Sequence, residues 1–326
     1  MYDLVPDETQ RAIIDTARDV AGAWTAGDRD GWDAAVRSGL LALGTAEEHG
    51  GAGAGACGEM LALIELGAVR ATPAVLAPML AAHLLAARPD LAERTGLSVT
   101  GVLTGEQPVA LADSWQWHHD AAPGTDWRVL PAAGARWAVA VSPAGLQLLD
   151  VQAAEAVPGF DRDVPLARVT GSALGEPAGP ALVDRALTLA AALQVGLARQ
   201  VLDVCVAYAK ARHQFGKPIG SFQAVKHMLA DMAVELEAAQ ACTAHSAVLI
   251  DAGVEDGMAA RTAKVVAGQA AVTVTRLGIQ VHGGIGVTAE CDMHRYLRRA
   301  HLLEQLFGSS DFHGEGVVRS LAALPG

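Results

Sequence analysis

Aromatic residues are scarce, at 4% of 326 residues, and basic residues are outnumbered, with 24 Lys and Arg against 36 Asp and Glu. The resulting formal charge of −12 repels a polyanionic duplex and leaves no basic stripe, which argues against nucleic-acid binding. Four cysteines, Cys57, Cys205, Cys242 and Cys291, stand far apart with no CxxC pair. Neither a zinc knuckle nor a disulfide framework is indicated, and buried thiols in a reducing cytoplasm are expected. The chain opens without a basic segment leading into an apolar core, and its apolar stretches are broken by Arg, His or Pro. A soluble, intracellular protein with no membrane partner is therefore expected.

Hydrophobic residues nevertheless make up 51% of the chain, much of it Ala and Val. Alanine loses no side-chain entropy in a helix, so this composition favours closely packed helices. The length suits two or three domains. Residues 1–97 read as an N-terminal helical domain: Asp7 is placed to cap a segment in which Ala12, Ile13, Ala17, Val20 and Ala21 recur at helical spacing. The glycine-rich stretch from Glu47 to Gly55 follows no strand and does not spell GxGxxG, so it reads as a loop between helices with no phosphate. Residues 98–180 read as a small β domain, from β-like runs at Trp137–Val141 and Leu146–Leu149 punctuated by Pro, Gly and Asp. Residues 181–326 return to helix, in segments near 181–211, 220–250, 256–281 and 288–306, and imply a four-helix bundle. The fold class is α+β, mostly α.

Two passages carry chemistry. In the first, Tyr208 to Met232, Gly216-Lys217-Pro218 is expected to end one helix, with another starting near Ser221. Arg212 and Gln223 then flank one corner, where a guanidinium fork and a neutral amide suit a pyrophosphate. In the second, Gln280-Val281-His282-Gly283-Gly284, the glycines let a ligand approach bare backbone amides. Arg295, Arg298 and Arg299 follow; they suit either CoA phosphates or a subunit contact, and the contact is favoured.

Together and in this order, these passages resemble the acyl-CoA dehydrogenase family. The resemblance implies three domains, helical, β-barrel-like and helical, with FAD between the second and third at a subunit interface. It implies that Arg212, Gln214, Phe215 and Gln223, with Gln280, Gly283 and Gly284, hold the adenosine diphosphate part of an FAD bound mainly by a neighbouring subunit. The family's reaction removes a proton next to the thioester of an acyl-CoA while hydride leaves the adjacent carbon for the flavin. Its base must be a carboxylate in a dry pocket.

The two positions that the family uses for this base fall on Phe307 and Ala186, neither of which accepts a proton, so no catalytic residue is assigned to this chain. Asp184, Glu304 and Asp311 are the nearby carboxylates, but Asp184 is turned about 200° from Ala186 on a helix. The family's Thr-Glu-Pro stretch is replaced by Ala110 to His119, in which Trp115 or Trp117 has the shape to stack on a flavin but is expected in the core. His118 and His119 lack a further ligand at metal spacing. These selective losses resemble the base-lacking subunit of α2β2 heteromeric acyl-CoA dehydrogenases. That resemblance implies a homologous base-bearing partner, a bulky acyl-CoA such as a steroid side-chain thioester, and electron-transfer flavoprotein or a similar acceptor. The alternatives are a homomeric flavoprotein using Glu304 or Asp311, and a structural subunit that binds no nucleotide.

Overall fold

The computed structural model describes residues 6–26, 28–114, 117, 126–254 and 257–322. Its axis is helix α7 (Pro180–Ala211), which starts with Pro at its first position, where the missing N–H costs nothing. Every residue from Ala186 to Ala198 is buried, as expected of a helix apolar on all sides. By length and composition α7 alone, among the described residues, is able to cross a bilayer. Here it is wrapped by other helices instead.

One of them is α3 (Gly55–Ala68), which crosses α7 at backbone contact. A Cβ on Gly67 would lie 2.3 Å from the Leu193 carbonyl oxygen, and one on Gly196 only 1.9 Å from that of Ile64. Glycine is required at both places. Two buried glutamates of α3 fasten the same crossing, Glu59 to Arg185 and His83, and Glu65 to Arg199. Burial opposes ionisation of Glu59, but the charges of His83 and Arg185 outweigh it and hold the carboxyl below its ordinary range.

Upstream, α1 (Glu8–Ala26) starts on the expected cap: Asp7 accepts from the Gln10 N–H at 2.8 Å while Gln10 accepts from the Asp7 N–H. The glycine-rich loop after α2 (Asp28–Arg37) delivers the chain to α3. The first amides of α3, Ala56 and Cys57, donate to the Asp251 carboxylate at 2.6 and 3.0 Å. This long-range carboxylate, rather than a local residue, caps α3. Helices α4 (Leu76–Ala87), α5 (Pro89–Thr95) and α6 (Val99–Leu103) complete this part.

Five strands then close a barrel in the order β1 (Val109–Ser114), β2 (Asp126–Leu130), β5 (Leu166–Ala178), β4 (Gly145–Val157), β3 (Trp137–Ser142). Alternate residues, among them Ala110, Ala112, Val129, Ala138, Ala140 and Val169, fill the interior. Small side chains suit so narrow a barrel. Their strand neighbours Leu111, Val139, Val141 and Leu148 point outward into the helical core.

The remaining helices are α8 (Gln223–Asp251), α9 (Met258–His282), α10 (Met293–Gln305) and a further one, α11 (Ser310–Ala322), which packs on α9. One arginine of α10 turns inward. Arg299 is buried, paired with Asp161 and donating to the carbonyls of Arg70 and Ala71, while Arg295 pairs with Asp163 and Asp292. Both join α10 to the β4–β5 connection inside the chain. The expectation that the cluster faces a subunit contact or CoA is corrected for Arg299, which is buried.

Candidate functional site

The first passage folds as a hairpin rather than a helix stop. Helix α7 ends at Ala211, Arg212 is extended with φ −78° and ψ 123°, and His213–Gln214 pairs with Lys217–Pro218. The two turn residues, Phe215 (φ 52°) and Gly216 (φ 78°), are both left-handed, as a two-residue type I′ hairpin demands. Helix α7 therefore stops at the end of the segment read near 181–211, ahead of the turn rather than at Gly216-Lys217-Pro218, and α8 begins at Gln223. Phe215 is 91% exposed at the hairpin tip, with its ring perpendicular to that of Phe222 at a centroid distance of 6.1 Å. A large aromatic ring is thus held in left-handed backbone and offered to solvent.

The second passage lies at the same end of the molecule. Helices α7 and α9 run side by side, and the rings of Tyr208 and His282 stack with centroids 4.2 Å apart. Arg212 is one turn beyond Tyr208, and Gln280, Gly283 and Gly284 flank His282. Gly283 caps α9 with φ 62°, and neither Gly283 nor Gly284 has any atom within 4 Å of where a Cβ would be. All seven residues, Arg212, Gln214, Phe215, Gln223, Gln280, Gly283 and Gly284, are exposed. Gln214 donates to the His213 carbonyl. Among the described residues, the side chains of Arg212, Gln223 and Gln280 make no hydrogen bond or ion pair. The bundle end thus offers one guanidinium, neutral amides and open backbone to something outside the chain.

Ala186 and Phe307 are fully buried in the core. Around Phe307 lies a polar cluster that the sequence did not reveal. Its backbone is left-handed at φ 59° and is held from several directions. The N–H donates to Asp113 Oδ1 at 3.3 Å, and the carbonyl accepts from His313 Nε2 at 2.7 Å. Lys264 Nζ donates to the carbonyls of Glu304 and Gly308 at 2.8 and 3.0 Å. Burial pushes Asp113 up to about 7 despite Arg128 at 2.7 Å. Burial also pulls Lys264 down to about 8, and burial together with the Lys264 charge pulls His313 to about 3. The only sequence signal was one Lys on the apolar face of α9, between Ala263 and Ala267.

Of the carboxylates considered for rescue, Glu304 accepts from the Ser310 N–H at 2.8 Å and so caps α11, while Asp311 is exposed on its first turn. Trp117 is buried, donating to the Val141 carbonyl. Trp115, His118 and His119 lie outside the described residues.

Residues 3–91 match the family model for the acyl-CoA dehydrogenase N-terminal domain, and residues 183–322 match that for the acyl-CoA dehydrogenase C-terminal domain. The chain belongs to the acyl-CoA dehydrogenase family. Acyl-CoA dehydrogenase FadE34 of Mycobacterium tuberculosis is 36% identical over 320 residues, which cover 92% of this chain. The chain spans only 44% of FadE34. Among solved acyl-CoA dehydrogenases, a variant of the Tcur3481-Tcur3483 steroid ACAD superposes with a TM-score of 0.78 at 26% identity, over 97% of this chain and 98% of that one. The ChsE4-ChsE5 complex of Mycobacterium tuberculosis matches with a TM-score of 0.82 at 22% identity over the whole of both chains, a likeness of fold.

Proposed function

We propose that this chain is the base-lacking subunit of a heteromeric, FAD-dependent acyl-CoA dehydrogenase. A homologous partner supplies the catalytic Glu, and the two assemble as α2β2. The observation that carries this reading is a contrast within one chain. The residues assigned to both family base positions, Phe307 and Ala186, are buried and apolar, whereas the bundle-end residues are exposed, and among the described residues the side chains of Arg212, Gln223 and Gln280 make no hydrogen bond or ion pair.

The bundle end suits the adenosine diphosphate part of an FAD reaching across from the partner. Arg212 takes a phosphate through charge-assisted hydrogen bonds, Gln223 and Gln280 give neutral ones, and Gly283-Gly284 admit close approach to the backbone. Phe215 buries its ring against the neighbour. When bound, the flavin supplies the hydride acceptor for α,β-desaturation of the acyl-CoA. This chain's contribution is to fix the cofactor's far end and exclude water from it, with electrons passing on to electron-transfer flavoprotein or a similar acceptor. A steroid-derived acyl group is supported by the likeness to the steroid ACAD. The length of FadE34, more than half of which lies outside the matched region, leaves room for a second unit of this size.

A second reading, catalysis by this chain alone, has one observation in its favour: Asp113 is a buried carboxyl of raised proton affinity against Phe307. It is engaged by Arg128 and only 3% exposed, which leaves no face for a substrate carbon. Purification of the chain alone and with its partner, followed by counting FAD, tests the proposal. Little FAD on the isolated chain and stoichiometric FAD on the complex are expected. Full FAD and desaturation by the isolated chain overturn it.

A further inference from the structure

A cleft of about 570 Å³ lies between the outer wall of the barrel and α10, walled by Phe160, Leu166 and Leu302, with His301, Arg128 and Arg168 at its edge. The sheet register explains its charge. Arg128 on β2 and Arg168 on β5 are directly opposite each other, an arrangement that costs stability unless an anion intervenes. Each has an acidic neighbour on its other side, Asp113 across from Arg128 and Glu155 across from Arg168. Only the first pair closes, at 2.7 Å. Among the described residues Arg168 forms no hydrogen bond or ion pair, although it is exposed beside a carboxylate.

The apolar wall is equally unspent. Phe160 is 66% exposed, and its ring lies perpendicular to that of His301 with centroids 5.8 Å apart. An apolar recess of this volume with Arg168, which makes no ion pair among the described residues, at its edge has the make-up of a small-molecule site. A planar guanidinium selects a carboxylate or phosphate oxygen pair over a neutral group.

We propose that this cleft binds an amphipathic organic anion, an apolar chain ending in a carboxylate or phosphate ester, with Arg168 on the anion and Phe160, Leu166 and Leu302 along the chain.

The test is calorimetric titration of the full chain with decanoate, decyl phosphate, decanol and inorganic phosphate. The chain should bind decanoate or decyl phosphate about tenfold or more tighter than decanol, in line with a charged hydrogen bond, and should not retain inorganic phosphate alone. Whichever ester or acid binds tighter identifies the headgroup. Arg168→Gln, at an exposed position, should remove the preference over decanol, and Phe160→Ala should weaken every decyl ligand by several-fold. Equal affinity for decanol and both anions in the wild type, no binding of either anion, or a preference that survives Arg168→Gln overturns the proposal. The wild-type comparison stands whether or not a variant folds.

Discussion

The carboxyl of Asp113 accepts a hydrogen bond from the backbone N–H of Phe307 at 3.3 Å, across 194 residues of sequence. A side chain of the barrel thus holds the backbone of Phe307, which the proposed function assigns to one of the family's base positions. That bond comes at the cost of burying a carboxyl, and burial lifts Asp113 to about 7.

The lifted value sets a pH dependence. Between about pH 4 and pH 7 the folded chain keeps this proton, whereas the unfolded chain, near the ordinary 3.8, has released it. Stability from this group is therefore full below about pH 4 and is lost as pH rises through 7, by on the order of 4 kcal/mol. Asp113→Asn cannot titrate and should flatten this slope. Urea midpoints at pH 5 and pH 8 check it: wild type should fall relative to the variant, and parallel behaviour would contradict the buried-carboxyl argument.

Lys264 is the second strut of the Phe307 turn. Lys264→Met keeps the length of the side chain but leaves the Glu304 and Gly308 carbonyls without their donor. Each charged hydrogen bond is worth roughly 1.5–3 kcal/mol, offset in part by the relief of burying a cation, so a net loss of about 2 kcal/mol at pH 7 is expected. Because burial lowers the lysine to about 8, its favourable contribution is full above 10.5 and falls as pH drops through 8. The penalty of the variant should accordingly grow from pH 7 to pH 10. Hydrogen exchange at Gly308 should accelerate in the same variant.

Much of this architecture was legible because it is written in local pattern. The long helices of the bundle follow from apolar spacing, and the Asp7 cap from three neighbouring residues. Where the reading stopped short, the deciding partner is distant or the local signal is atypical. The hairpin after α7 looked like a helix stop because its turn uses Phe215, not Asn or Asp, at a left-handed position. Strands β1, β2 and β5 were not read: β1 is buried on both faces, and β5 has no clean alternation. Helix α11 carries Gly314 and Gly316, poor helix formers, and is held by Glu304 and α9. The arginines of α10 signalled a surface charge cluster, since nothing local betrays Asp161 and Asp163 as their partners. Asp113 and Lys264 meet only through the fold, so no motif announces them.

Arg212→Ala separates cofactor binding from folding. The side chain is exposed and makes no bond within the described residues, so the thermal stability of the isolated chain should stay within about 0.5 kcal/mol of wild type. In the assembled complex, loss of a charged hydrogen bond to phosphate should weaken FAD retention by roughly 1.5–3 kcal/mol, read as FAD content after gel filtration. Unchanged FAD with intact assembly would remove Arg212 from the proposed set.

The last test concerns the base itself. If Phe307 and Ala186 occupy both family base positions, no carboxylate of this chain is essential to turnover. Glu304 is committed to the Ser310 amide at the start of α11, a role that Gln fills through its own carbonyl, and Asp311 faces solvent. Glu304→Gln and Asp311→Asn should therefore leave the complex within a few-fold of wild type. Replacing the partner's Glu by Gln should instead cost about 10²–10⁴-fold, the usual worth of a positioned general base. Flavin reduction in a single turnover is the right readout, because slow product release cannot hide a change in proton abstraction there. Asp113→Asn belongs in the same series as the discriminating case. A rate kept within a few-fold, with FAD content and assembly unchanged, assigns Asp113 to holding the Phe307 turn, whereas a loss as large as that from the partner's Glu would make this chain catalytic and sink the base-lacking assignment.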